Sequence, residues 1–302
     1  IAVLIVLLFH IDQFLSLFGL KEIGYHHTGM AGFGVVLFFV LSGFLITYLL
    51  LIEKKEFKGL DFRKFYIRRI LRIWPIYYLV LLITIILLCI GLISNNNHIF
   101  ITLLFYSLLL SNVGYSLGFG LITITPLWSV GVEEQFYLIW PLVLSKSKNI
   151  FKSFILFITI YLTIKIFAYT LSNFSFETGK FLYAFISNTP FDSMTIGALA
   201  AWMVYSNNKI LPFLYNPLSQ CACWLFLAIS ILYKPIHITS LFDTELHAFV
   251  YAVIIINVSS NKKTIINLEN IFFNFIGQIS YGIYIYHMTI IVLLSHLIRK
   301  IL

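Results

Sequence analysis

A histidine ends the apolar run IAVLIVLLFH, where an imidazole can stay neutral and accept a proton near neutral pH. An ionisable side chain inside such a run is costly and points to function. For His10, followed by Asp12, two readings stand: a catalytic base inside the fold, or a helix-end imidazole at the outer interface. Two adjacent carboxylates, Glu133 and Glu134, open the run PLWSVGVEEQFYLIWP, bracketed by Trp128 and Trp140. Neighbouring helical residues point about 100° apart. One carboxylate is therefore expected to face the interior and the other the headgroups, unless both are merely interfacial. A buried carboxylate near His10 would orient the imidazole or balance its charge.

A third group is basic: Arg68, Arg69 and Arg72 in FYIRRILRIWPIYY. Residues three apart share a helical face, so Arg69 and Arg72 lie together, and their planar forks suit phosphate oxygens. The plainer reading is positive charge at a helix start that fixes topology. Further candidates are Ser42 beside Gly43 in GVVLFFVLSGFLI, Tyr281 and His287 in SYGIYIYHMTI, Asp192 in FDSMTIGALAA, and Ser129 with Trp128 in the glutamate segment. Small residues also serve helix packing; for Asp192 and His287, at or inside apolar runs, two readings stand evenly, facing a cavity or not. His98, His237, His247 and His296 read as loop-borne or terminal and carry no assignment. Cys89, Cys221 and Cys223 have no partners at zinc spacing and read as thiols within the membrane, with neither disulfide framework nor metal site implied.

These residues need elements that hold them in an apolar solvent. Hydrophobic residues make up 60% of the 302 and charged residues only 11%, against roughly a quarter charged in a soluble domain. Uncharged runs such as 33–52 and 73–93 reach the roughly 20 residues that cross a hydrocarbon core. The fold class is all-α: a polytopic transmembrane helix bundle forming one domain over 1–302, with the lipid bilayer as its first partner. Spans are expected near 1–18, 32–52, 70–93, 127–144, 154–172, 190–206, 219–233, 246–260 and 271–298, with a further stretch at 99–126, about ten in all. The net charge of +8 is an orientation signal rather than a nucleic-acid footprint, because eight of the twenty basic residues fall in 53–72. Basic loops stay cytoplasmic. That rule puts 54–72, 146–152, Lys209 and 262–263 inside, and an external loop with His26 and His27 between the first two spans.

With Arg72 and Lys146 both inside, an even number of crossings must join them, and spans 70–93 and 127–144 already provide two. Residues 99–125 are too few for two more helices. A re-entrant or surface-lying element is predicted there, bent at Gly114, Gly118 or Gly120 and placed against a functional cavity.

Five segments in order, IAVLIVLLFH, FFVLSGFLI, FYIRRILRIWPIYY, PLWSVGVEEQFYLIWP and SYGIYIYH, resemble those of acyltransferase family 3, integral membrane O-acyltransferases, over nearly the whole chain. The resemblance implies His10 as catalytic base, Glu133 as the glutamate of the tryptophan-serine motif, and Arg69 and Arg72, with Arg68, on the acyl-coenzyme A side. It implies acyl-coenzyme A, most commonly acetyl-coenzyme A, as co-substrate, with no bound cofactor and no metal. It implies a glycan-type acceptor and a place in the bacterial cytoplasmic membrane. The family usually has an arginine eleven residues before the first-helix histidine. That position falls before Ile1, so the first helix looks cut. It also often has an arginine two positions before the aspartate, where this chain has Pro190. The expected activity is acyl transfer to an acceptor hydroxyl, with Glu133 holding the imidazole of His10, directly or through an acyl-histidine. Two rival classes are an inactive relative with a binding role and a small-molecule transporter; a transporter should show symmetry between its halves, and none is evident.

Overall fold

A computed structural model describes residues 1–25, 29–94, 98–174, 177–233 and 235–301, with side chains through 298. His26 and His27 lie outside the described residues. All nine long apolar runs are helical, and among the described residues there is no strand. The helices are α1 (Ala2–Gln13), α2 (Met30–Glu56), α3 (Phe62–Cys89), α4 (Ile99–Ser107), α5 (Ser111–Ser116), α6 (Leu127–Lys146) and α7 (Ile150–Asn173). After them come α8 (Glu177–Ser187), α9 (Phe191–Tyr205), α10 (Leu211–Leu214), α11 (Pro217–Leu232), α12 (Asp243–Ser260) and α13 (Ile271–Ile301). Their starts follow local chemistry. The Asp61 carboxylate accepts from the Lys64 amide at 3.0 Å and Asn149 from the Lys152 amide at 3.1 Å, each satisfying an otherwise orphaned donor. Pro217 opens α11 behind the Asn216 cap.

Four helices, α2, α3, α7 and α13, are long and apolar enough to cross a membrane, and the chain is a multi-pass membrane protein. The expected count of about ten spans thus finds support in four. The others are short or interrupted by charge: α1 has 12 residues, α9 15 and α11 16, α6 carries Glu133 and Glu134, and α12 opens with Asp243, Glu245 and His247. The sequence reading also missed α8, whose polar Glu177 and Lys180, paired at 2.7 Å, hide a helix that packs back on α7.

Stretch 99–126 holds only helices of nine and six residues. Side chains fasten it to the bundle. Tyr77 Oη donates to the Tyr106 carbonyl at 2.7 Å, and Asn112 and Gln135 exchange amide hydrogen bonds at 3.1 and 2.7 Å. Gly118, at φ +81, makes the left-handed turn after α5 that a side chain would strain.

At the centre, α2 and α9 cross with backbones in contact. A Cβ on Gly43 would lie 1.9 Å from the Met194 carbonyl oxygen, and one on Gly197 2.0 Å from that of Val40. Helices associate in lipid through such small residues, because apolar burial gives no drive there. Large side chains fill the space around the crossing: Trp140 is fully buried, its indole N–H given to Thr47 at 2.7 Å.

Candidate active site

Helices α2, α3, α6 and α13 line a cavity of about 140 Å³ whose polar wall includes Ser42, Arg69, Arg72, Ser129, Glu133 and Tyr281. Ser42 and Tyr137 hydroxyls are hydrogen-bonded to each other, and Glu133 lies beside both and beside Arg69. The Arg69 guanidinium is held between the Phe65 and Tyr137 rings, 5.7 and 5.6 Å from their centroids, within the range of cation–π attraction. Tyr281 donates to the Ile73 carbonyl at 3.1 Å, tying α13 to α3.

A second cavity of about 650 Å³ lies where α2 ends and α3 begins, lined by Glu53, Asp61, Lys64, Arg68 and Arg69 among others. Arg69 lines both cavities. Arg68 keeps a mostly exposed side chain, 3.5 Å from Glu53. Size separates the two spaces. The inner one holds a few waters' worth of volume and suits a short acyl group, whereas the outer one is in the range of small-molecule sites.

Glu134 corrects the expectation that one carboxylate would face headgroups. It accepts the Trp74 indole N–H at 2.8 Å, and its other oxygen is buried without a hydrogen-bond partner among the described residues. The cause is the neighbour: α3 presents an indole donor where lipid was expected.

His10 does not line the inner cavity, and Glu133 does not hold it. Its Nδ1 lies 3.0 Å from the Val6 carbonyl and 3.1 Å from His287 Nε2, with the two rings 5.0 Å apart. His287 Nδ1 in turn lies 2.6 Å from the Tyr284 carbonyl. Tyr284 lines the inner cavity, and its hydroxyl meets Ser129 Oγ at 2.6 Å and the Pro126 carbonyl at 3.2 Å. A polar chain therefore runs from the start of α6 through Tyr284 and His287 to His10. Trp128 packs beside it, stacked on Tyr115 at 5.5 Å and edge-on to Phe39.

Asp192 lines neither cavity, which decides between its two readings. It is fully buried, and neither carboxylate oxygen has a hydrogen-bond partner among the described residues. The first turn of α9 points it toward Glu245 and Lys165, which are paired at 2.5 Å. Lys165 thus supplies positive charge near an aspartate that has Pro190 two positions before it. His247, read as loop-borne, is a buried residue of α12 stacked 3.8 Å from the Phe33 ring. The thiols are free: Cys89 and Cys221 are exposed on the helix surfaces and Cys223 is half-buried. Among the described residues no group of three or more His, Cys, Asp or Glu could hold a metal ion. Sequence reasoning missed Lys165, a charge in an apolar run that the rule applied to His10 would have flagged. It also missed Tyr137 and Tyr284, which no pattern distinguishes from the chain's other tyrosines.

Comparison with known proteins adds a lineage to this geometry. The peptidoglycan O-acetyltransferase OatA of Listeria monocytogenes is 36% identical over 143 residues, 43% of this chain and 23% of the Listeria protein. An uncharacterized protein of Haemophilus influenzae is 29% identical over 188 residues, 58% of this chain and 76% of that protein. The chain therefore aligns with less than a quarter of the length of its Listeria relative. No solved structure matches it. A family model described as an acyltransferase domain, acyltransferase family 3, matches residues 1–301, and the chain belongs to that family.

Proposed function

We propose that this chain transfers an acyl group, acetyl in the first instance, from cytoplasmic acyl-coenzyme A to a hydroxyl of a cell-surface glycan, working in the cytoplasmic membrane. The observation that carries the reading is Arg69, shared by an outer cavity of nucleotide size and an inner one of acyl size. In this reading the nucleotide phosphates meet Arg68, Arg69 and Lys64, and the pantetheine arm passes Arg69. The thioester then lies among Ser42, Glu133 and Tyr281, with Arg72 beside it. Glu133 serves by holding Arg69 and Tyr137 in place. The bilayer is crossed by reach rather than by transport.

His10 is the base. An acceptor hydroxyl gives its proton to the imidazole as its oxygen attacks the thioester carbonyl; the new ester forms, and the coenzyme leaves as thiolate. Tyr284 stands between the inner cavity and the histidine, so its side chain must turn aside for the reactants to meet. The Listeria relative is named for peptidoglycan, which makes a cell-wall sugar hydroxyl the first acceptor to test. Membrane vesicles holding the chain, given acetyl-coenzyme A and muropeptide or oligosaccharide acceptors, should release free thiol. His10→Ala should abolish release, and Arg69→Ala should raise the KM for acetyl-coenzyme A. Release that survives His10→Ala, or none across the acceptor panel, would overturn the assignment.

A further inference from the structure

The contacts of His10 and His287 fix which ring atoms carry protons. His287 Nδ1 faces the Tyr284 carbonyl at 2.6 Å, and His10 Nδ1 faces the Val6 carbonyl at 3.0 Å. A carbonyl oxygen only accepts, so each Nδ1 must carry its hydrogen; the opposite assignment sets two lone pairs against each other. In the neutral rings both Nε2 atoms are then bare. His287 Nε2, 3.1 Å from His10 Nδ1, can therefore only accept. The Val6 carbonyl already takes the helical N–H of His10 within α1, whereas the lone pair of His287 Nε2 has no other donor among the described residues. What remains is His10 Nε2, which has no hydrogen-bond partner among the described residues.

We propose that His287 is a positioning residue for His10: by accepting from His10 Nδ1 it keeps the proton on that side of the ring and leaves His10 Nε2 as the basic atom. This rests on the acyl-transfer reading for its consequence, though not for its geometry. His287 plays the part that a buried carboxylate plays beside a catalytic imidazole, with a neutral acceptor in place of a charged one. The choice suits an apolar bundle, where an anion beside the base would itself need a counter-charge. The Tyr284 carbonyl, a backbone group that stays in place when the Tyr284 side chain turns aside, holds His287 in this orientation. When His10 takes the acceptor's proton at Nε2, its Nδ1–H becomes a stronger donor and the bond to His287 tightens, which lowers the energy of the charged ring at the moment it forms.

Two substitutions separate this role from mere filling of space. His287→Gln places an amide oxygen close to the position of Nε2 and keeps the acceptor; His287→Phe keeps the ring and removes the acceptor. In lipid nanodiscs, His287→Phe should lower kcat by about tenfold or more, the loss typical of removing an orienting partner. The KM for acetyl-coenzyme A should stay at the wild-type value, since His287 does not line either cavity. His287→Gln should recover most of the rate. The acidic limb of the pH–rate profile should move in His287→Phe and return in His287→Gln. A second readout needs no turnover: in 15N spectra of histidine-labelled protein, the signal absent from His10→Ala should be an Nδ1–H tautomer in wild type and should lose that character in His287→Phe. A His287→Phe protein with wild-type kcat and an unchanged His10 signal would overturn the proposal, as would equal losses in Gln and Phe variants. If wild type releases no thiol, the functional reading fails while the tautomer signal still decides the dyad.

Discussion

Replacing Gly43 by alanine tests the packing on which the inner cavity depends. The added Cβ would sit 1.9 Å from the Met194 carbonyl oxygen and 2.6 Å from its carbon, both backbone atoms that no rotamer change can remove. Relief requires α2 and α9 to part by about 1.1 Å, to reach the 3.0 Å below which Cβ contacts are essentially never found. Overpacking of this kind costs about 1–3 kcal/mol, and a gap of that width forfeits a quarter to a half of the dispersion energy along the seam, so a total loss of about 3 kcal/mol or more is expected. Gly277→Ala is the control. It lies in α13 with nothing within 4 Å of the new carbon, and alanine there should add about 1 kcal/mol through helix propensity. Thermal unfolding in nanodiscs, followed by tryptophan fluorescence, should rank Gly277→Ala at or above wild type and Gly43→Ala well below it. Because Ser42 is the next residue and lines the cavity, thiol release should fall with Gly43→Ala even at temperatures where the protein remains folded. A Gly43→Ala protein as stable as the Gly277→Ala control would refute the backbone crossing itself.

Three more outcomes follow from the geometry. Arg69→Lys keeps the charge but loses the planar group between Phe65 and Tyr137, so the KM for acetyl-coenzyme A should rise several-fold; an unchanged KM would remove Arg69 from the donor path. Lys165→Met leaves Glu245 and Asp192 as buried acids without a cation and should cost about 3–5 kcal/mol in denaturation, with Lys165→Met/Glu245→Gln regaining much of it. At the start of α3, the Lys64 amide holds the exposed Asp61 carboxyl below the usual carboxylate range. Its folded value is depressed, so the cap's contribution is present above the unfolded value and fades as pH falls through the folded one. Hydrogen exchange at the Lys64 amide should quicken over that acidic window, and Asp61→Asn should abolish the pH dependence.

The medium and the helices were legible in the order of residues. Uncharged runs of helical length leave no other way to satisfy backbone groups in lipid, and every long run is a helix. The same order showed why 99–125 could not hold two spans, since 27 residues cannot cross twice, and why Arg69 and Arg72 share a face, since three residues are nearly one turn. Five motifs in order carried the family. Which motif residues meet depended on how the helices pack. Glu133 and His10 read as partners because each is an ionisable group in an apolar run, but the rotation of α6 turns Glu133 toward Arg69 and Ser42, and the partner of His10 comes from the far end of the chain on α13. Glu134 shows the same limit: adjacency on a helix fixes the angle between two side chains, not what the next helix presents to either. Asp192, Lys165 and Glu245 lie on three helices, and no local pattern links them. Helix formation is written in nearest neighbours along the chain, whereas a site is written in the rotation and depth of each helix against the others, which packing sets.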